Sequence, residues 1–266
     1  MSAARYTPLI FSRHRNLRLI DAPDFRFAAK ETLIPFIIDE VADIAREYPI
    51  VFPDNGSQLP CALVGVEREA NAYVSADGQW RARYVPGHVR RHPFFLGKVP
   101  DTAENPQPAN ATEYVVLIDQ TSPLLSETEG ERIYTESGEL QPVAERRTKL
   151  LKRIQQRMPV TRNLVQLLES YGLLKGHEIT FSKAGEPKRV VRGVRFVDGE
   201  RLKSLPADAV YDLFTKGAFP LIYAHGISLA NLRWGPLAGF GIKPFEEEAQ
   251  IEDMLNSDLI RFDSFK

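Results

Sequence analysis

The chain holds one cysteine, two tryptophans and three methionines in 266 residues. A lone Cys61 cannot build an intrachain disulfide framework, which fits a reducing compartment. No stretch approaches the roughly 20 consecutive apolar residues that a membrane-spanning helix needs. The most apolar candidates, TLIPFII at 32–38 and AFPLIYAHGISLANL at 218–232, are short or carry His225 and Asn231. The opening MSAARYTPLIFSRHRNLRLI has no apolar region leading to a small-residue cleavage site, so a soluble, cytoplasmic protein without membrane insertion is expected. A formal charge of −1 gives no general attraction for nucleic acid or an anionic membrane, and no nucleic-acid partner is expected.

Cofactor signatures are missing too. There is no G-x-G-x-x-G and no G-x-x-x-x-G-K-[ST], and GPLAGFG at 235–241 lacks the strand–turn–helix setting in which glycine amides cradle a phosphate. The five histidines open the triplets HRN, HVR, HPF, HEI and HGI, none of them the H-x-D or H-x-E of a facial triad. No cofactor is expected.

What is present is an ordinary globular composition, 43% apolar and 26% charged, long enough for a sizeable core. NLRLI (16–20) reads as a strand. Ile37, Ile38, Val41 and Ile44 recur at helical spacing, with Pro35 near the helix start and Pro49 ending it before the strand IVF (50–52). CALVGV (61–66), AYVS (72–75) and QWRARYV (79–85) read as strands, the last two joined by a turn at Asp77-Gly78. A polar loop follows at 100–112, then the strand EYVVLID (113–119). Leu150, Leu151, Ile154 and Met158 form a helical stripe that Pro159 is expected to break. A new helix then runs over 161–174, capped by Thr161, with Leu164, Leu167 and Leu168 inward. A hairpin at about 177–198 and two helices, 199–216 and 219–233, complete the pattern. Strands cluster in the first half and helices in the second, which predicts an α+β fold. A β-rich part with one N-terminal helix at 1–125 packs with a helical part at 126–243 containing the hairpin, and an acidic tail covers 244–266.

The segments EYPIVF, ALVGVEREANAYVSADGQWRARYVPGHVRRHPFFL and VVLID, followed by VRGVRFVDGERLKSL…YDLFTKGAFPLIYAHGISLANL, together resemble the bacterial SapC-like family over roughly residues 16–233. The resemblance implies an accessory or binding protein that acts with a neighbouring modifying enzyme, halogenase-like or cupin-like, or in an uptake pathway linked to an outer-membrane receptor. Relatives labelled as surface-layer components imply a structural role as one alternative. An enzyme acting on a peptide or amino-acid-like substrate is the other.

Four groups of residues could carry chemistry. In YVPGHVRRHPFF, His88 and His92 are four apart, as two zinc ligands on one helix face would be, but Pro86 and Pro93 leave little helix between them. Tyrosine is implied at the place of His92 by the family pattern, which favours packing; no metal is expected there. Arg90 and Arg91, beside Trp80 and Tyr84, could clamp a carboxylate or phosphate bidentately, or form an internal salt bridge to the acidic segment DEVADIARE. His225 and Ser228, three apart on a helix, could be base and nucleophile, or a buried histidine bonded to a hydroxyl or backbone group. Arg146, Arg147, Lys149, Lys152, Arg153 and Arg157 make a basic helix, read as a solvated face paired with the acidic segment at 127–139.

Overall fold

A computed structural model describes residues 5–21, 24–98 and 114–241. The loop expected at 100–112 and the tail at 244–266 lie outside the described residues. The described chain is an α+β protein. Its first half contains β1 (Tyr6–Pro8), α1 (Phe11–His14), β2 (Arg18–Leu19), β3 (Leu33–Pro35), α2 (Val41–Glu47), β4 (Ile50–Pro53) and β5 (Cys61–Leu63). Next come the short corner helix α3 (Gly87–Arg90), β6 (Phe94–Lys98), β7 (Tyr114–Asp119), β8 (Leu125–Ser126) and β9 (Glu131–Arg132). The second half has α4 (Pro142–Ser170), the hairpin β10 (Leu174–Phe181) and β11 (Arg189–Val197), then α5 (Gly199–Lys203), α6 (Ala207–Thr215), α7 (Phe219–Ser228) and α8 (Asn231–Trp234).

Three antiparallel sheets organise these elements: β10-β11-β4-β5-β3, β1-β7-β6 and β8-β2-β9. The five-stranded sheet joins the two halves of the chain, because β11 pairs with β4 through Val194↔Pro53 and Arg195↔Phe52. Ile50, Val51, Phe52, Cys61, Ala62 and Leu63 are all buried on it, as a continuous apolar run in a central strand requires. The main core lies against this sheet and includes Ile44, Tyr48, Leu164, Leu168, Leu221 and Leu232. A second core gathers Leu19, Phe94, Ile118, Ile133, Val143 and Leu151. Helix α4, about 43 Å long at 1.5 Å per residue, contributes its first half to the second core and its second half to the main one. Phe27 packs against both.

Four sequence expectations need correction. Pro159 does not break the helix: α4 is continuous from Pro142 to Ser170 with Pro159 inside it. Interior proline costs about 3 kcal/mol, and the burial of Leu151 and Ile154 before it and Leu164, Val165 and Leu168 after it offsets that. Thr161 is therefore no cap. Fully buried in mid-helix, it donates its hydroxyl to the Arg157 carbonyl and accepts the Ile38 N–H, tying α4 to the turn before α2. Pro35 lies in β3 opposite Cys61 and not at a helix start; β3 is an edge strand, where a residue without an N–H is tolerated. The segments 72–75 and 79–85 are not strands but flank a turn with the single bridge Val74↔Trp80. There the Ser75 hydroxyl and the Asn71 side chain take up the backbone N–H groups of Gln79 and Tyr73 that a ladder would use. Gly78, at φ 87°, supplies the left-handed residue this turn needs.

Among the described residues no helix is long and apolar enough to cross a membrane.

Candidate functional site

Helix α3 sits at the junction of the sheets. Its first residue, Gly87, donates its N–H to Glu40 Oε1 at 2.6 Å, and the same oxygen accepts the Tyr84 hydroxyl at 2.7 Å. Glu40 Oε2 accepts the Ile37 N–H at 3.3 Å. This carboxylate is buried, 6% exposed, and gathers three donors from two separate stretches of chain. A side chain at Gly87 would run into it, since a Cβ there would lie 2.9 Å from the carboxylate. Glu40 therefore fixes where α3 starts and, with it, where the arginines of the corner point.

The two arginines point apart. Arg90 Nε donates to the Val85 carbonyl at 2.8 Å, and Nη2 donates to the Tyr84 hydroxyl at 3.0 Å. Its guanidinium lies over the Tyr84 ring and reaches Glu40 at 4.0 Å. Glu40 belongs to the DEVADIARE segment, so Arg90 makes the internal tie that the sequence offered as one reading of the pair. Trp80 and Tyr84 belong to the same internal network: Trp80 Nε1 donates to the Tyr48 hydroxyl at 2.7 Å, and that hydroxyl donates to the Tyr84 carbonyl.

Arg91 has a different setting. It lines a cavity of about 190 Å³ between β3 of the large sheet and β1 and β6 of the small one. Tyr6, Phe27, Leu33, Ile34 and Phe95 form its apolar and aromatic wall, and Arg5, Glu31, His88 and His92 its polar part. The Arg91 guanidinium carbon is 4.6 Å from the centre of the Phe95 ring, and Nε donates to the His88 carbonyl at 3.3 Å. Among the described residues Arg91 has no carboxylate partner within ion-pair distance. Burial pushes its pKa down, against the opposing fields of Tyr6 and Glu31. Arg5, by contrast, is fully committed, with Nε and Nη2 both on Asp119 Oδ2 at 3.0 and 2.8 Å.

The two histidines of the corner also differ. His92 is buried, stacked on Phe27 at a ring separation of 3.8 Å and hydrogen-bonded through Nε2 to the Ser122 hydroxyl at 2.8 Å. His88 Nδ1 is shielded from solvent and has no partner. Burial, aided by the Arg91 charge, pushes the His88 pKa down to about 3, so the ring is neutral. The pair faces one cavity, but among the described residues no group of three His, Cys, Asp or Glu side chains is arranged to hold a metal ion. Cys61 does not line this cavity; it lies in β5, where burial pushes its thiol up to about 12.

His225 and Ser228 lie elsewhere, between α7 and the middle of the large sheet. The backbone N–H of Val197 donates to His225 Nε2 at 3.2 Å, and Nδ1 pairs with the Ile50 carbonyl at 2.8 Å. Ser228 Oγ accepts the Ile50 N–H at 2.8 Å and donates to the His225 carbonyl at 2.6 Å. Both side chains are buried, and both are spent pinning α7 to β4 and β11. The alternating N–H and C=O of Ile50 and Val197, unpaired where β4 and β11 part, are what these residues satisfy.

The basic helix pairs with acids other than those expected. Arg146 and Arg147 bind Asp21, Arg153 and Arg157 bind Asp39, and Lys149 binds Glu145.

Sequence reasoning singled out Arg91 and named the segment holding Glu40 without the residue that sets the corner, and it missed Glu31, which lines the cavity with Arg91. Neither stands in a motif. Only the pairing of β3 with β5 brings the segment after Lys30 beneath α3.

A family model described as SapC matches residues 9–234 of the 266-residue chain. No curated protein and no solved structure matches the sequence.

Proposed function

We propose that this chain, which belongs to the SapC family, is a binding protein that holds a small carboxylate-bearing molecule beneath α3 and works beside an enzyme that modifies such a molecule. The observation that carries this reading is Arg91: a half-buried guanidinium, without a carboxylate partner among the described residues, lining a cavity with apolar and aromatic walls. A desolvated cation is costly unless an anion compensates it. Arginine presents its donors in a planar fork that matches a carboxylate. Volume decides between a small ligand and a macromolecular one. A dry cavity of roughly 150 Å³ takes benzene, so about 190 Å³ suits a molecule of comparable size.

A binding role is also supported by the use of His225 and Ser228 as structural pins. A serine nucleophile needs a free base beside it, and here both ring nitrogens of His225 face backbone groups. The modifying enzyme would be halogenase-like or cupin-like, or the chain would serve a receptor-linked uptake pathway. A surface for a protein partner is available on the C-terminal helices, where Tyr211, Phe214, Ile227 and Trp234 are 60–84% exposed. Purification of the tagged full-length chain from its native host, followed by native mass spectrometry, tests the proposal. A co-eluting protein in fixed ratio and a small acid released on denaturation are expected. Recovery of the chain alone, with turnover of a substrate by itself, would overturn it.

A further inference from the structure

We propose that the cavity beneath α3 takes a free α-amino acid with an apolar side chain, its carboxylate on Arg91 and its ammonium on Glu31. The inference rests on the carboxylate reading of the same cavity and adds the second charge.

Glu31 and Arg91 line one cavity of about 190 Å³. The two are not joined in an ion pair, and Glu31 has no salt-bridge partner among the described residues. Two opposite charges that face one space without touching leave room for a molecule carrying the complementary pair. In an α-amino acid a carboxylate and an ammonium sit on one carbon, so a single small molecule meets both. A plain carboxylate would leave Glu31 unmatched, an amine would leave Arg91 unmatched, and a dicarboxylate would be repelled by Glu31.

The rest of the wall fixes the side chain. Phe27, Leu33, Ile34 and Phe95 offer apolar surface and no further charge. Arg5 is neutralised by Asp119. His92 is engaged with Ser122 and stacked on Phe27. A peptide terminus offers only one of the two charges together with a continuing chain, and fits this arrangement less well than the free amino acid.

Isothermal titration of the full-length protein decides the matter, with leucine and phenylalanine set against 4-methylpentanoate and 3-phenylpropionate, the same molecules without the amine. At least one amino acid is expected to bind about tenfold more tightly than its deaminated counterpart, the contribution of a charge-assisted hydrogen bond. In Glu31→Gln that preference should vanish while the deaminated acid binds at least as tightly as before. Glu31 is exposed, so the substitution leaves the core intact. Equal affinity for both molecules in the wild type, or a preference that survives in Glu31→Gln, overturns the amino-acid inference and leaves the carboxylate reading standing. No binding of any of the four overturns both.

Discussion

Between pH 7 and pH 5 the protein is expected to lose about 6 kcal/mol of stability, from three histidines that the fold keeps neutral. Burial is the largest cause at each. It pushes His88 to about 3, His92 to about 4 and His225 to about 4. The charged groups around them do not reverse this. Arg91 lowers His88 further, Asp119 opposes Arg5, Arg147 and Arg91 at His92, and His177 adds to the lowering at His225. The unfolded chain binds a proton at each of these residues near pH 6.5, whereas the folded chain refuses it until about pH 4 or below. Unfolding is therefore favoured as pH falls through that window, by about 1.4 kcal/mol per pH unit for each histidine. The total is a large part of the 5–15 kcal/mol by which a domain is stable.

Carboxylates act in a separate range. Burial raises Asp119 and Asp39, but hydrogen bonds from Arg5 and Thr121 to the one, and from Arg157 and Arg153 to the other, outweigh it and hold both below the ordinary value. Their stabilisation is lost only as pH falls below that value, under about 4. Urea titrations at pH 7.5, 6 and 5 and constant ionic strength separate the two. A midpoint that falls steadily over this series is expected. A flat midpoint down to pH 5 would show that the histidines are not held neutral.

Replacing Glu40 by alanine should cost about 4 kcal/mol, with a smaller loss, about 1–2 kcal/mol, for glutamine. Alanine leaves the Gly87 N–H, the Ile37 N–H and the Tyr84 hydroxyl without their acceptor in a buried place. Glutamine can keep its one oxygen on Gly87 and Tyr84, the pair now sharing Oε1, and turns an N–H₂ toward the Ile37 N–H. The loss should also have a location. Amide exchange at Gly87 should accelerate in Glu40→Ala, and carboxylate binding should weaken, because Arg91 follows directly on α3 as its C-cap. Equal stability of Glu40→Ala and the wild type in urea would mean that the corner is held by packing alone.

Much of the architecture was legible where one physical signal dominated. The run IVF lies fully buried in β4 because a central strand covered on both faces needs apolar residues at every position. The β10–β11 hairpin was legible from two alternating segments around a turn. Prolines were harder to read, because a local rule competes with packing that the sequence does not display. Pro159 obeys its helical neighbours once the faces on either side of it are buried, and Pro35 is harmless because β3 happens to be an edge. The site was legible only in part, for a similar reason. Arg90 and Arg91 are adjacent in sequence, so the pair stood out, but Arg90 ends α3 beside Tyr84 and Glu40 while Arg91, its C-cap, lines the cavity. Which of them is neutralised depends on Glu40, half a sheet away along the chain. The residues that complete the cavity, Tyr6, Glu31 and Phe95, come from three strands or their flanks and share no spacing.

The central claim is that Arg91, and not its neighbour, is the anion-binding residue of the corner. It is tested most directly by titrating 3-phenylpropionate and 4-methylpentanoate into the wild type, Arg90→Met and Arg91→Met at pH 7.5. Saturable binding of at least one acid to the wild type, retained in Arg90→Met and lost in Arg91→Met while the protein stays folded, is the predicted result. Failure of the wild type to bind either acid, or equal binding by Arg91→Met, would contradict the account.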